Sequence, residues 1–572
     1  MQRTSSDVDA RRHSGRSRLL GAAACSLLLA TQPLAAAHAT GASGPVVGTA
    51  DGAVQGLEQN GVNMFLGIPY AAPPVGSLRW QPPRPHGSWT QTLDATNFGG
   101  TCAQITELGA FAGPATVNED CLYLNVFTTG TGVAPGRQAR LGAVKRPVLL
   151  WIHGGGLVDG ESNDYDAGKL AQGGPDGPTV VVTINYRLGL LGYFAHPALD
   201  HEGHHFANYG LMDQQAALRW IRRNIAAFGG DPDNITIGGQ SAGATSTAAN
   251  VISPRSAGLF QRAIFESGAL LTVAPLTLAE TRGTSFATAA GCGSDATPAT
   301  AACLRSLPVG QILALQGTAS ANGPYVTGLI VDGKVLPIPA DTAWATGNFN
   351  RVPIMNGTVK DEGAFTASIN EYFNGPLTAA QYTSLVTATY SAGAGAGGGA
   401  PSYPAGTAAN VLAHYPASAY ANPSLAYVAV GTDPTACRAR HLNTLVHPWA
   451  RVYAYEFSDQ NAPWYFPPLS FAHGAAHTID IQFLFPGFHG GPAGTAHPLS
   501  APEEKLSDKL VAAWTNFMYA GNPNGTGLRN WPQYQAPNYQ YLSENVPKLS
   551  TFTDADFTLE HQCALWDNVL VY

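Results

Sequence analysis

Charge is scarce in this chain. Lys, Arg, Asp and Glu make up 12% of its 572 residues, about half the share of roughly 25% found in soluble globular proteins. Basic residues are the rarer sign, 30 against 38 acids for a net charge of −8. That balance argues against a nucleic-acid partner, which would call for a basic surface. No internal repeat with a period of about 20–50 residues is visible, which excludes solenoids and propellers. No CxxC or HxxxC cluster occurs, so a Cys/His metal site has no support, and neither metal nor cofactor is expected. Past the N-terminal region no stretch approaches about 18 uninterrupted apolar residues, so no stable membrane insertion is expected. The apolar share of 45% suffices for a large core, while Gly (65) and Pro (41) carry no collagen-like period. Disordered, collagenous and coiled-coil chains are thereby ruled out.

The N-terminus stands apart. Residues 1–39 hold Arg3, Arg11, Arg12, Arg16 and Arg18 against Asp7 and Asp9, then an apolar run at residues 19–30, then Ala37-His38-Ala39. A charged start, an apolar middle and a small-x-small end read as a signal peptide. Gln32 and Pro33 interrupt the run, which is short for a membrane span, so an uncleaved anchor is the weaker alternative. Arg11-Arg12 hints at twin-arginine export. A single catalytic domain, residues 40–572, remains, with 25 Lys and Arg against 36 acids and a net charge of −11. The expected location is secreted or periplasmic. Cysteine usage agrees: Cys25 lies in the leader, and Cys102, Cys121, Cys292, Cys303, Cys437 and Cys563 remain. An even number suits three disulfides in an oxidising compartment. Spacing favours Cys102–Cys121 and Cys292–Cys303 and leaves Cys437–Cys563, although six cysteines allow fifteen pairings.

Along the mature chain, strand, loop and helix alternate. Residues 148–152 (VLLWI) and 179–186 (TVVVTINY) are continuous apolar or β-branched runs, as expected of strands buried on both faces. Residues 211–228 carry apolar positions at helical spacing, including Leu211, Leu218, Ile221 and Phe228. Residues 234–238, 352–355 and 452–457 read as further strands. Ser500 and Glu503 form a capping-box pattern at the start of a long C-terminal helix. Residues 392–406, rich in Gly, Ala, Pro and Ser, read as an insertion. The class expected is α/β, a mostly parallel sheet covered by helices on both faces and carrying large insertions.

Chemistry concentrates in two glycine-rich turns. Gly239-Gln240-Ser241-Ala242-Gly243 follows the strand at 234–238 and precedes small residues, 242–250, able to form a helix. This is the context of a nucleophile elbow, where a sharp turn presents a serine hydroxyl at the sheet edge. A serine needs a base to take its proton and donors for the resulting oxyanion. His153-Gly154-Gly155-Gly156, directly after the strand at 148–152, supplies an HGGG-type loop. The expected donors are the N–H groups of Gly155, Gly156 and Ala242, with His153 structural. Ordinary glycine turns are the bland alternative for both.

Further stretches make a resemblance specific. They are Phe65-Leu66-Gly67-Ile68-Pro69-Tyr70, Pro73-Pro74-Val75-Gly76 with Leu78-Arg79-Trp80, residues 119–126 (EDCLYLNV), Asn185-Tyr186-Arg187-Leu188-Gly189 and Phe228-Gly229-Gly230-Asp231-Pro232. In this order, across nearly the whole mature chain, the sequence resembles the type-B carboxylesterase/lipase family, cholinesterase-like enzymes on the α/β-hydrolase fold. The resemblance implies a serine esterase with a Ser–Glu–His triad and a small-molecule ester substrate. Glu362 in residues 356–365 (NGTVKDEGAF) matches the acid, with Asp361 beside it. The family places its histidine six residues before an aromatic-aliphatic-aromatic strand end. Phe483-Leu484-Phe485 puts that position at His477, with Asp480 matching an acid three places on; His473 is the alternative. Ser267 matches a supporting serine near the triad. The family's disulfide pattern implies Cys102–Cys121, Cys292–Cys303 and Cys437–Cys563. Cholinesterase-like members carry Glu before the nucleophile where this chain has Gln240, and the Cys102–Cys121 loop lacks a Trp to stack on a quaternary ammonium. Neutral carboxylic esters are therefore expected. A lipase acting on longer acyl chains and a non-catalytic recognition homologue are the alternatives. The cluster His201, His204 and His205 reads as surface residues.

Overall fold

A computed structural model describes residues 44–106, 112–131, 145–200, 207–269, 273–320, 323–391, 403–536, 539–546 and 548–570. The expected signal peptide, the His201/His204/His205 cluster and most of the insertion at 392–406 lie outside the described residues. Within them, Gly44–Tyr572 gathers into one compact unit.

The frame is an eleven-stranded sheet. In chain order its strands are β1 (Leu57–Gln59), β2 (Val62–Pro69), β3 (Tyr123–Thr128), β4 (Arg146–Ile152), β5 (Val180–Ile184), β6 (Gly230–Gln240), β7 (Arg262–Glu266), β8 (Ile354–Val359), β9 (Val452–Phe457), β10 (Gln540–Glu544) and β11 (Ser550–Thr553). They lie in the order β11-β10-β9-β8-β7-β6-β4-β5-β3-β2-β1. From β5 to β10 every neighbouring pair is parallel, and both ends turn antiparallel. Parallel strands need crossovers, and helices supply them. Those that matter here are α1 (Tyr209–Asn224), α2 (Ala242–Ile252), α3 (Ala364–Asn374), α4 (Ala379–Tyr390), α5 (Pro423–Val446), α6 (Ile481–Leu484), α7 (Ala501–Ala520) and α8 (Cys563–Val569).

The continuous apolar runs follow from two buried faces. Val148, Leu150 and Ile152 of β4 point into the core layer shared with Leu218 and Ile221 of α1. Leu149 and Trp151 point to the opposite layer, with Leu510, Trp514 and Phe517 of α7. Strand β5 alternates in the same way, Val180, Val182 and Ile184 against Val181. The capping box at the start of α7 is formed by Ser500 and Glu503. Disulfides join Cys102 to Cys121, Cys292 to Cys303 and Cys437 to Cys563.

Three boundaries differ from expectation. The helix expected over 211–228 ends at Asn224 and continues as a 3-10 turn, Ile225–Phe228, that closes on Gly229 at φ 83°. The strand expected at 352–355 begins at Ile354 and runs on to Val359. Its polar half is held from the side: Asn356 donates to Ala439 O at 3.1 Å and to Asn443 Oδ1 at 2.7 Å. Phe483-Leu484-Phe485 is no strand end; Phe483 and Leu484 lie in the single turn α6, which closes through Phe485 N–H to Ile481 O at 2.8 Å. All three side chains are buried, and apolar composition alone does not separate a strand from a buried helical turn.

Candidate active site

Parallel strands deliver their C-terminal ends to one edge of the sheet, and the candidate residues meet there. Ser241 follows β6 at φ 57° and ψ −123°, a strained conformation for a residue with a Cβ. The turn is tight enough to demand its glycines. A Cβ on Gly243 would sit 1.9 Å from Ile152 O, and one on Gly239 would sit 2.4 Å from the same oxygen. Ser241 N–H donates to Glu266 O at 2.8 Å, which fixes the elbow to the end of β7.

The loop after β4 faces the serine. Gly155 and Gly156 take φ 98° and 62°, and Gly155 O accepts from Val158 N and Asp159 N at 2.9 Å each. The N–H groups of Gly155, Gly156 and Ala242 donate to no protein group among the described hydrogen bonds. Ala242 opens α2, where the first N–H groups have no partner within the helix. His153 is buried against Tyr186, with ring centroids 4.5 Å apart. Its Nδ1 faces Gly154 O at 2.8 Å, and burial lowers its pKa to about 4, so it is neutral at ordinary pH.

Glu362 and His477 are brought together directly. Nδ1 of His477 meets Oε2 of Glu362 at 2.5 Å, and Val359 N–H donates to the other oxygen at 3.1 Å. Burial pushes the Glu362 carboxyl up, but the His477 charge and hydrogen bond, Ser267 and the Val359 N–H together hold it below the ordinary value. Burial pushes His477 down, and the charge and hydrogen bond of Glu362, with the charge of Asp480, outweigh it and leave the imidazole raised. Ser267, at φ 53°, is buried. Its Oγ makes no hydrogen bond of good geometry, yet it lies close enough to help hold the Glu362 carboxyl down.

The described hydrogen bonds include none between Ser241 and His477. With a proton on Nδ1 for Glu362, Nε2 is an acceptor, and Gln240 Nε2 donates to it at 3.2 Å. Catalytic contacts of this type commonly tighten only in the substrate complex. Ser241 and His477 do line the same two cavities. One of about 330 Å³ is walled by Phe365, Val386, Tyr390, Tyr427 and Val430. One of about 50 Å³ is walled by Tyr165, Tyr465, Phe488, Glu161 and Asp164. Burial raises Asp164 to about 7, and it raises Glu161 as well. Of the two, Asp164 is the one brought close to half-protonated at neutral pH.

His473 is kept apart from this chemistry. Its Nδ1 faces Gly474 O at 2.7 Å and its ring packs on Trp464. Asp361 works on the loop instead: its Oδ2 accepts from Ala475 N at 2.8 Å and from Gln460 Nε2 at 3.0 Å. A Cβ on Gly474 would meet that carboxylate at 2.3 Å. The glycine of the His-Gly pair is therefore required by Asp361. Sequence reasoning passed over Asp361 as an anchor and missed Glu161 and Asp164 altogether; their signal was an acid-bearing stretch, residues 157–165, directly after the glycine loop that follows β4. Among the described residues, one group brings metal-ligand atoms within 4.8 Å of one another: Glu456, Glu560 and His561. Lys360 already pairs with Glu560, and His561 with Asp433.

Residues 43–566 match the model of the Carboxylesterase family. The chain belongs to that family. It is 34% identical over 544 residues to a duck (Anas platyrhynchos) medium-chain fatty acyl-CoA hydrolase precursor, covering 89% of this chain and 90% of the relative. It is 32% identical to the human (Homo sapiens) cocaine esterase, with 94% and 93% covered. It is also 32% identical to the para-nitrobenzyl esterase of Bacillus subtilis (strain 168), with 90% and 96% covered. This carboxylesterase is accordingly a carboxylic ester hydrolase on the α/β-hydrolase fold, acting on small-molecule esters. No helix among its described residues is long and apolar enough to cross a membrane.

Proposed function

We propose that the protein is an exported serine carboxylesterase that hydrolyses neutral carboxylic esters through an acyl-enzyme. Ser241 is the nucleophile, His477 the general base and then acid, and Glu362 the carboxylate that orients the imidazole. The observation that carries this reading is the 2.5 Å contact of His477 with Glu362 on the wall of cavities also lined by the strained Ser241. Ser241 Oγ attacks the ester carbonyl carbon while its proton passes to His477 Nε2. The oxyanion is met by the N–H groups of Gly155, Gly156 and Ala242. The imidazolium returns the proton to the departing alcohol, and water repeats the sequence to release the acid. Gln240 releases Nε2 as Ser241 engages it.

Three features support neutral substrates. Gln240 is uncharged at the position before the nucleophile, and burial raises Asp164 to about 7 and lifts Glu161 above its ordinary value. Relatives named for acyl-CoA, cocaine and para-nitrobenzyl substrates show how widely the ester partner varies around one scaffold. The leader at 1–39 and the three disulfides of the remaining chain support export. The test is Ser241→Ala with organophosphate labelling. The variant should fold and lose turnover on the order of a thousandfold or more, and the wild type should be labelled at Ser241. Labelling at another serine, or a variant of near-full activity, refutes the reading.

A further inference from the structure

The end of β7 touches all three segments that carry the candidate triad. The carbonyl of Glu266 accepts the N–H of Ser241 at 2.8 Å. The next residue, Ser267, lies against Glu362. The side chain of Glu266 reaches Asp480, three residues beyond His477. Glu266 and Asp480 are each 2% exposed, and Glu544 beside them is 3% exposed. Oε2 of Glu266, both carboxyl oxygens of Asp480 and Oε1 of Glu544 make no hydrogen bond of good geometry among the described residues, and the one backbone donor near Asp480 is its own N–H.

The groups facing this pair come from every neighbouring element. They are Glu362 from the turn after β8, His477 from the loop before α6, Tyr455 from β9, Glu544 from the end of β10, and Tyr165 and Tyr465 from flanking loops. Tyr455 lies across Gly357, the residue in register with Glu266, where a Cβ would meet its ring at 2.3 Å. All but His477 are acids or phenols. Two ionised carboxylates in contact in such a place repel each other and have too few donors to offset their burial. Two carboxyls can hydrogen-bond to each other only through a proton on one of them.

We propose that Glu266 is held as a neutral carboxylic acid donating its proton to the Asp480 carboxylate, and that this pair is a positioning device for His477. The proposal rests on the reading of His477 as the base. The main chain of Glu266 holds the nucleophile, and its carboxyl holds the histidine loop through Asp480. The pair keeps one negative charge behind the imidazole, where it favours the imidazolium. The assignment of the proton follows from the surroundings. Asp480 lies on the same loop as His477, three residues from the imidazole whose charge favours an ionised neighbour, while Glu266 ends its strand facing the acids Glu362 and Glu544.

Infrared difference spectra and pH–rate profiles test this together. At neutral pH the wild type should show the carbonyl stretch of protonated carboxyl groups, and Glu266→Gln should lose part of it. Glu266→Leu, which donates nothing, should lower kcat by about tenfold or more with KM within about twofold, and Glu266→Gln, whose amide donates in place of the acid, should recover most of that loss. Asp480→Asn removes the charge and should move the acidic limb of kcat/KM down by about half a unit to one unit. Glu266→Gln should leave that limb in place. An unchanged carbonyl band in Glu266→Gln overturns the proposal. So does a limb that Glu266→Gln moves as far as Asp480→Asn, since the charge would then reside on Glu266. Both polar variants conserve shape, so the test survives if Glu266→Leu fails to fold. Retained turnover in Ser241→Ala with the band lost as expected would instead break the triad reading alone.

Discussion

Replacing Glu362 by Gln isolates what the carboxylate does for His477. Oε1 of Glu362 accepts the buried Val359 N–H at 3.1 Å, and Oε2 accepts from His477 Nδ1 at 2.5 Å. A glutamine has one oxygen for two donors. If that oxygen stays with Val359, the amide NH₂ faces Nδ1 and forces the imidazole proton onto Nε2, where the base can no longer accept from Ser241. If the amide flips, the Val359 N–H is left buried and unpaired at a cost of about 1–3 kcal/mol. The productive tautomer therefore falls to roughly one part in five to one part in 150. Losing the charge-assisted bond that stabilises the imidazolium costs about 1.5–3 kcal/mol more, a further factor of roughly 10 to 150. The product, about 10² to 10⁴ in kcat, is the expected loss. The acidic limb should move as well. Glu362 raises His477 above its ordinary value, and the proposed mechanism requires the neutral base, so wild-type activity should appear as pH rises through a midpoint above about 6.5. In Glu362→Gln that midpoint should fall. Initial rates on a p-nitrophenyl ester from pH 5 to pH 9, with kcat and KM resolved, read both effects. Asp361→Asn, which touches only the loop anchors, is the control. A Glu362→Gln enzyme within about tenfold of wild type and with an unmoved limb would refute the partnership, since each effect alone predicts about that much.

Two other outcomes follow from the geometry. His477→Ala should lose on the order of a thousandfold in kcat and His473→Ala no more than about tenfold, because His473 packs on Trp464 outside the proton path; the opposite ranking would return the base to His473. His561, buried between Asp433 at 3.2 Å and Glu456 at 3.6 Å, has its pKa raised to about 9. The stability it contributes, about 3 kcal/mol, is fully present below about pH 6.5 and is lost as pH rises through about 9. Thermal unfolding of wild type between pH 7 and pH 10 should show that loss and His561→Gln should flatten it, whereas equal slopes would show that His561 is not the group responsible.

The central sheet was legible because burial on both faces writes itself into β4 and β5 as unbroken apolar runs. Strand β8 was only half legible. Its second half, Asn356-Gly357-Thr358, has neither the pattern nor the propensity of a strand. It is extended because Asn356 finds both its partners on α5 and because Gly357 makes room for the ring of Tyr455. The turn α6 was misjudged because three apolar residues carry no period. The position chosen from it, His477, is nevertheless the histidine that meets Glu362.

Local motifs and distant pairings differ in what a single chain can disclose. The elbow is a local event: Gly239 and Gly243 are required by the carbonyl of Ile152, and their spacing around Ser241 is visible in the sequence. The acid pair is not. Glu266 stands beside Ser267, and the matched motif drew notice to the hydroxyl while nothing in the neighbouring residues marked the carboxyl. Only the parallel sheet explains why it is there. Strands β6, β7, β8 and β10 all end on one edge, so Ser241, Glu266, Glu362 and Glu544 converge whatever their separation in the chain. Gathering acids on that edge raises their pKa by burial and by mutual repulsion. The edge can tolerate three carboxyls behind the Glu362–His477 pair only if protons remain on some of them. On the proposed mechanism, a site that moves one proton between Ser241 and His477 also has to hold protons still, and the proposed shared proton of Glu266 and Asp480 is where that requirement touches the proposed base.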